Sequence, residues 1–340
     1  MTRSKIKSTA KNILGIRCVK AVKALRNYFT LRSTYRKDRL KYQKHSSLFN
    51  INSFEKLECE LTLLYHGIEK GFLHEEIRPY FAKEKVMLLL QILDDVRIKG
   101  ALWERCHIQS AVANLCNYYD WHTSNGYTLK YFPEQKYYEL KKHLIKEHPS
   151  IKQYSKGDYL SKNKSSFIDF AKSRCSVREF SDELVSHDTL REVIDLANTA
   201  PSVCNRQGVS VTVVEDKTII KEILDIQQGL AGYTAINQLV VLTANRNYFY
   251  STGERNQLYI DGGIYLMNLL YAFHYYGIAA CTAHWGLLDK ADRAIERLIG
   301  ISPSSQVICI VSFGYPKETV KCTLSLRRKP NENLSIIENK

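Results

Sequence analysis

Apolar residues recur with a helical period through the first half of the chain, and strand-like runs begin only after residue 200. Within residues 1–45, Leu14, Cys18, Ala21, Val22, Leu25, Tyr28 and Phe29 fall at helical spacing. Lys20, Lys23 and Arg26 take the opposite side, so the pattern predicts a basic amphipathic arm. Leu57, Leu61 and Leu64 form a second periodic run, and Val86, Leu89, Leu90 and Leu93 a third. Residues 101–118 and 133–144 predict two more helices, the latter with Pro133 near its first turn. Residues 50–150 therefore read as a helical domain. Its one interruption is His66–Phe72 (HGIEKGF), where two glycines predict a loop carrying a Glu–Lys pair.

Residues 149–166 are rich in lysine and serine and predict a linker. Beyond it the texture turns to mixed helix and strand, an α+β pattern over 166–330. Ser186 is placed to cap a helix whose apolar stripe is Leu190, Val193, Ile194 and Ala197, ending before Pro201. The β-branched runs 209–214, 239–243 and 307–313 predict strands. Residues 218–227 and 289–298 predict helices, the second capped by Asp289 and stopped by Gly300. Residues 262–288 hold no charged side chain, yet Asn268, His274, Gly277, Thr282 and His284 interrupt the run. A membrane-spanning helix needs about 20 predominantly apolar residues. The stretch 263–276 is better read as a helix buried inside the protein or a dimer, and 277–286 (GIAACTAHWG) as a small-residue turn.

Composition sharpens this picture in two places. The nine cysteines are scattered without a CxxC pair, which argues against a disulfide framework or a thiolate zinc site. With no signal peptide evident, a reducing, cytoplasmic setting is expected. A helical di-iron site would need two Glu-x-x-His pairs, and only Glu104 with His107 offers one, so no metal is expected. The net charge of +14 is concentrated in residues 1–44, which hold fourteen Lys/Arg and one acid, Asp38, leaving the other 296 residues at +1. Such an arm suits the inner face of an anionic membrane or a dock on its own protein. Nucleic acid has nothing but charge to recommend it.

Four clusters carry candidate chemistry. In Ser173–Phe180 (SRCSVREF), an extended backbone would turn Arg174, Ser176 and Arg178 to one side, a combination suited to a phosphate. Ala200–Gln207 (APSVCNRQ) sets Ser202, Asn205 and Gln207 on one turn, and Leu326–Pro330 (LRRKP) adds Arg327 and Arg328. The small-residue turn 277–286 would let a flat ligand approach the backbone.

In this order and spacing the clusters resemble the nitroreductase family of flavin enzymes over residues 166–330. The matching signatures are Arg174-x-Ser176-x-Arg178-x-Phe180, Ala200-Pro201-Ser202-x-x-Asn205-x-Gln207, Gly314-Tyr315-Pro316 and Arg328-x-Pro330. The resemblance implies a three-layer α-β-α sandwich with a mostly antiparallel sheet, built as a homodimer with FMN at the interface. Arg174 and Arg328 would hold the phosphate, with Arg327 assisting and Cys175 nearby. Ser176 would bond phosphate or ribityl, and Arg178 the ribityl chain and pyrimidine edge. Ser202 and Asn205 would come from the partner subunit, and Pro201 and Gln207 would join the cofactor-binding set. Gln228 is the candidate for a second pyrimidine contact. A backbone N–H near His284, flanked by Ala283 and Trp285, would face flavin N5. The implied chemistry is ping-pong: NADH or NADPH leaves a hydride on FMN, and a small-molecule acceptor then takes the electrons. HGIEKGF resembles a motif of longer nitroreductase-like chains associated with bacterial polysaccharide biosynthesis. A different class, a flavin-fold scaffold without turnover recruited by the basic arm, would bind flavin but accept no hydride. Two departures stand out: Gln207 is followed by Gly208 and Val209 where the family commonly has Pro-Trp, and no Gly-x-Gly-x-x-Gly marks a Rossmann domain.

Overall fold

The computed structural model describes residues 3–230 and 232–338, without the side chains of residues 3–17 and 19. Leu14 of the expected apolar stripe lies outside the described side chains. The arm is one long helix, α1 (Arg3–His45). Four helices follow: α2 (Phe54–Gly71), α3 (Lys83–Leu93), α4 (Cys106–Ser124) and α5 (Glu134–Lys141). They share a core of their own in which Leu61, Ile68, Leu89, Ile108, Leu115, Tyr118 and Phe132 are fully buried. The Ser53 hydroxyl caps α2 by accepting from Lys56 N–H, the arrangement its place before Phe54 favours.

HGIEKGF is not a loop. Residues 66–71 continue α2 to its end, because the two glycines are contact points rather than breaks. The Lys85 side chain crosses Gly67, and the Phe81 ring lies where a Cβ on Gly71 would stand, 2.2 Å away. The expected linker also resolves into structure: β1 (Ile151–Ser155) and the short α6 (Lys156–Leu160). β1 pairs antiparallel with a strand from the far end of the chain, β6 (Thr319–Thr323). A polar strand in a two-stranded ribbon has little to bury, so it left no apolar alternation to read.

The C-terminal half is built on a four-stranded antiparallel sheet, in the order β2 (Val209–Val214), β3 (Gln238–Asn245), β5 (Ser305–Gly314), β4 (Ala279–His284). β4 corrects the expected turn at 277–286. Its Ala279, Ala280, Cys281 and Ala283 are buried, and small residues fit a strand covered on both faces. β3 is the central strand. Leu239 and Val241 face one way, with Ile220 and Ile223 of α9 (Lys217–Gln227) and Ile295 of α11 (Asp289–Ile299). Val240 and Leu242 face the other, with Leu190 and Val193 of α8 (His187–Ala197) and Leu269 and Phe273 of α10 (Gln257–Tyr275). The period-two alternation thus sorts helices onto both faces and gives the α-β-α sandwich. In α11 the cap position belongs to Leu288 rather than Asp289, while Gly300 ends the helix in the left-handed region at φ 69°.

Helix α10, whose one carboxylate is the buried Asp261, is buried on one face only. Its Leu269, Ala272 and Phe273 pack into the core, while Ile260, Ile264 and Met267 are exposed. Gly262 lets the helix sit close to the sheet: a Cβ there would lie 2.8 Å from Ile308, the residue bulged out of the β3–β5 register.

Candidate cofactor-binding site

Helix α7 (Phe167–Ser173), capped by the Ser166 hydroxyl, delivers the chain to Arg174 in extended conformation. The segment 174–180 then lies along the open side of β4. Val177 N–H donates to Ala280 O at 3.1 Å, Ser176 bridges Ala280, and Val177 bridges Cys322 of β6. Phe180 bridges Pro316, and a Cβ on Gly314 would come within 2.8 Å of its side chain. Two of the sequence signatures are therefore one joint: the Phe180 ring and the Gly314–Pro316 turn hold each other in place.

Arg174, Cys175 and Ser176 line a cavity of about 500 Å³ between this segment, β1, α10 and the chain following β6. Lys152, Lys172 and Arg327 enter the same cavity, with the hydroxyls of Ser173, Thr323 and Ser325. Four cations and no carboxylate line it. Among the described residues, Arg174, Arg327 and Lys152 make no ion pair. Such a set repels itself unless an anion occupies the space, and guanidiniums with hydroxyls are the groups that bind phosphate.

Arg178 serves a neighbouring cavity of about 460 Å³, which it lines with Val177, Tyr233, Leu73 and a charged rim in which Lys317 is paired with Glu75 and Glu179, and Glu318 stands beside them. Only 8% of Arg178 is exposed, and its Nη1 has no hydrogen-bond partner. The Tyr233 hydroxyl, the Thr282 hydroxyl and the Gln227 side-chain oxygen are likewise buried and unpartnered. Leaving a buried guanidinium without acceptors costs several kcal/mol (~3–5). Tyr233 lines the same cavity as Arg178, and two orphans on one cavity mark the place of a polar ligand. Cys281 of β4 lies among the same charges. Burial raises its pKa, while Arg178, Lys70 and Arg174 pull it down and Ser176 hydrogen-bonds it. Cys175 and Cys322 share a proton-linked contact: it raises the Cys175 pKa, with burial adding to the rise, and lowers that of Cys322 against the effect of burial.

The other candidate residues are placed as follows. Ala283 is buried and His284 exposed at the end of β4, and the His284 carbonyl accepts from Gln227 Nε2 at 3.1 Å. Trp285 turns inward, its Nε1–H donating to Asp292 at 2.6 Å, so its side chain serves packing. Gln228 caps α9 in the left-handed region and faces neither cavity. Pro201–Gln207 line neither cavity. That loop is tightly wound, with Cys204, Asn205 and Gln207 all at φ near 50° and the Ser202 hydroxyl accepting from Gln207 N–H. Arg328 is engaged elsewhere: it donates to Glu58 of α2 at 2.6 Å and approaches His107 at 3.3 Å. Glu58 also receives Arg105 at 3.0 Å, which makes the C-terminal segment a strap clamped to the helical region.

Lys172 and Lys317 of the two cavities were not singled out from the sequence, and neither were Lys152 and Lys70. Lys152 sat inside the apparent linker. Lys70 sat inside HGIEKGF, a motif visible without a role. In the fold Lys70 leaves the end of α2, donates to Gly229 O at 2.7 Å, and stands near Arg178. Burial and then the Arg178 charge hold its ammonium below the ordinary lysine pKa.

Comparison with known proteins places this geometry. The Nitroreductase family model matches residues 171–231, from the end of α7 through α9. An iodotyrosine deiodinase of Hydra vulgaris is 24% identical over 225 residues, spanning 58% of this chain and 80% of that protein. A protein of Archaeoglobus fulgidus named "Putative NADH dehydrogenase/NAD(P)H nitroreductase" is 28% identical over 149 residues, 43% of this chain and 83% of its own. Among solved structures, "a putative nitroreductase in complex with FMN" from Desulfovibrio desulfuricans covers 52% of this chain and 99% of its own, with TM-score 0.42 and 18% identity. Residues 171–231 are thus similar to the nitroreductase family over the stretch that carries the Arg174–Phe180 and Ala200–Gln207 signatures.

Proposed function

We propose that the protein is an FMN-dependent oxidoreductase that takes a hydride from NADH or NADPH and passes electrons to a small-molecule acceptor. The observation that carries this reading is the pair of adjoining cavities. One holds four cations with no carboxylate, and the other holds a buried guanidinium and a tyrosine hydroxyl without partners. An elongated ligand with a phosphate at one end and a polar ring at the other meets both needs. Arg174 and Arg327, with Lys152, would hold the phosphate, and Ser176 the adjoining ribityl chain. Arg178 would meet the pyrimidine edge, and the backbone around Ala283–Trp285 would line the ring. Arg328 would act at one remove, anchoring the strap that carries Arg327. FMN, when bound, supplies the hydride chemistry. The chain's work is to orient it and to stabilise the negative charge that reduction places on the ring.

The test is the visible spectrum of the purified protein before and after NADH or NADPH, for wild type and Arg174→Ala. A flavin spectrum that bleaches with reductant supports the reading. Loss of one charge-assisted phosphate contact weakens FMN by about 10- to 100-fold. A protein that takes up no added FMN overturns it. A stable flavin that no pyridine nucleotide bleaches would make the chain a silent flavin-binding scaffold.

A further inference from the structure

Helix α1 meets the rest of the protein with the wrong face for a core element. Its partly covered residues are Asn27, Thr34 and Asp38, which share one polar face, and Asp38 is fixed there by Arg255 at 2.6 Å. On the opposite face Val22, Leu25 and Phe29 stand 58–63% exposed. Arg32 and Arg36 continue that outward face one and two turns on. Docking on its own protein would have covered the apolar stripe and left the polar side in water. The arrangement is inverted, so the stripe is available to something outside the chain.

Charge says what that is. Residues 1–44 hold fourteen Lys/Arg, and their one acid is already paired with Arg255. A second copy of this chain is a poor occupant: two arms would repel, and the other 296 residues carry only +1, with no acidic excess to offer. An anionic bilayer surface offers both needs, apolar depth for the stripe and negative headgroups for the flanking cations. No described helix is long and apolar enough to cross a membrane, so the contact is one of lying on the surface.

We propose that α1 docks this protein on an anionic lipid surface, with Val22, Leu25 and Phe29 entering the interface and the neighbouring lysines and arginines meeting lipid phosphates. This inference does not rest on the flavin reading, because vesicle binding needs no cofactor.

The experiment is co-sedimentation of the full chain with vesicles of phosphatidylcholine alone or mixed with phosphatidylglycerol, at low and high salt. Wild type is expected to bind the mixed vesicles at least about tenfold more tightly than the neutral ones, and to lose that margin in high salt. Two exposed-site variants separate the contributions, each first checked for an unchanged melting curve. Leu25→Ser with Phe29→Ser and Arg32→Glu with Arg36→Glu should each weaken binding about tenfold or more. Three results overturn the proposal: no sedimentation with mixed vesicles, undiminished binding by the Leu25/Phe29 variant, or equal binding to neutral vesicles. A self-association that only the Leu25/Phe29 variant abolishes, without vesicle binding, would give the face to a second copy.

Discussion

Arg178 and Lys70 show at the scale of single residues what the C-terminal half needs. Two cations from distant parts of the chain stand together, the guanidinium buried and the ammonium's pKa depressed, with the orphaned Tyr233 hydroxyl on the same cavity as Arg178. A positive group at a flavin's pyrimidine edge favours the reduced, negatively charged ring. Lys70→Gln is therefore expected to leave FMN bound but to make its midpoint potential more negative. The shift is about 30 mV for each tenfold lost in preference for the reduced form. Spectroelectrochemical titration measures it, and Lys70→Arg should restore most of it. An unchanged potential would confine Lys70 to its bond with Gly229.

His274 makes a second prediction at this scale. The Ser173 hydroxyl donates to Phe170 O, so His274 Nε2–H donates to Ser173 and Nδ1 is left bare in the interior. Burial, then the nearby Arg174 charge, lowers its pKa from 6.5 to about 4. A lowered histidine pKa means that the native state prefers the neutral ring. Its stability contribution is full above pH 6.5 and is lost as pH falls toward 4, up to about 3 kcal/mol. Denaturant titrations across that window should show the loss for wild type, and His274→Gln should flatten that part of the profile.

Elements were legible where apolar periodicity was strong. β2, α8 and α9 stand where their patterns placed them, and the alternation in β3 carried the sandwich. Three misreadings have separate physical causes. Before its final His284, β4 is made of alanines, a cysteine and a threonine, small residues that look like a turn until two covered faces are found for them. β1 pairs with a strand more than 160 residues away, a contact no local window contains. HGIEKGF keeps its helix because Phe81 and Lys85 occupy the space beside its glycines. The candidate site divided along the same line. Arg174, Ser176 and Arg178 were readable as a motif, whereas Lys70 and Lys152 join them only through tertiary placement.

The strap following β6 also tests an element-scale claim. Glu58 is 3% exposed and receives both Arg105 and Arg328. Removing it leaves two guanidiniums facing each other in a partly buried joint. Glu58→Ala should destabilise the fold by about 2–4 kcal/mol, since breaking a buried ion pair strands the opposite charge. It should also loosen the strap bearing Arg327 and so weaken FMN. Chemical denaturation reads the first effect and flavin titration the second. A stable variant that loses only flavin would make the clamp a device for the site rather than for the fold.

At the scale of the whole molecule, two features point past a single chain. The outward face of α10 leaves Ile260, Ile264 and Met267 in water, beside a loop whose Ser202 and Asn205 reach neither cavity of their own chain. A two-fold assembly through α10 would cover the first and give the second a place, each loop reaching toward the other chain's cofactor. Ile264→Asp should then split the assembly, because a charge at a closely packed helix contact costs about 2 kcal/mol or more for each copy. Light scattering with size-exclusion chromatography would report a monomer, and the same sample should bind FMN about tenfold or more weakly although none of its own cavity residues has changed. Wild type that is already monomeric would remove the premise. A monomeric variant with undiminished flavin affinity would mean that one chain completes the site alone, and the 200–207 loop would revert to a tightly wound surface turn.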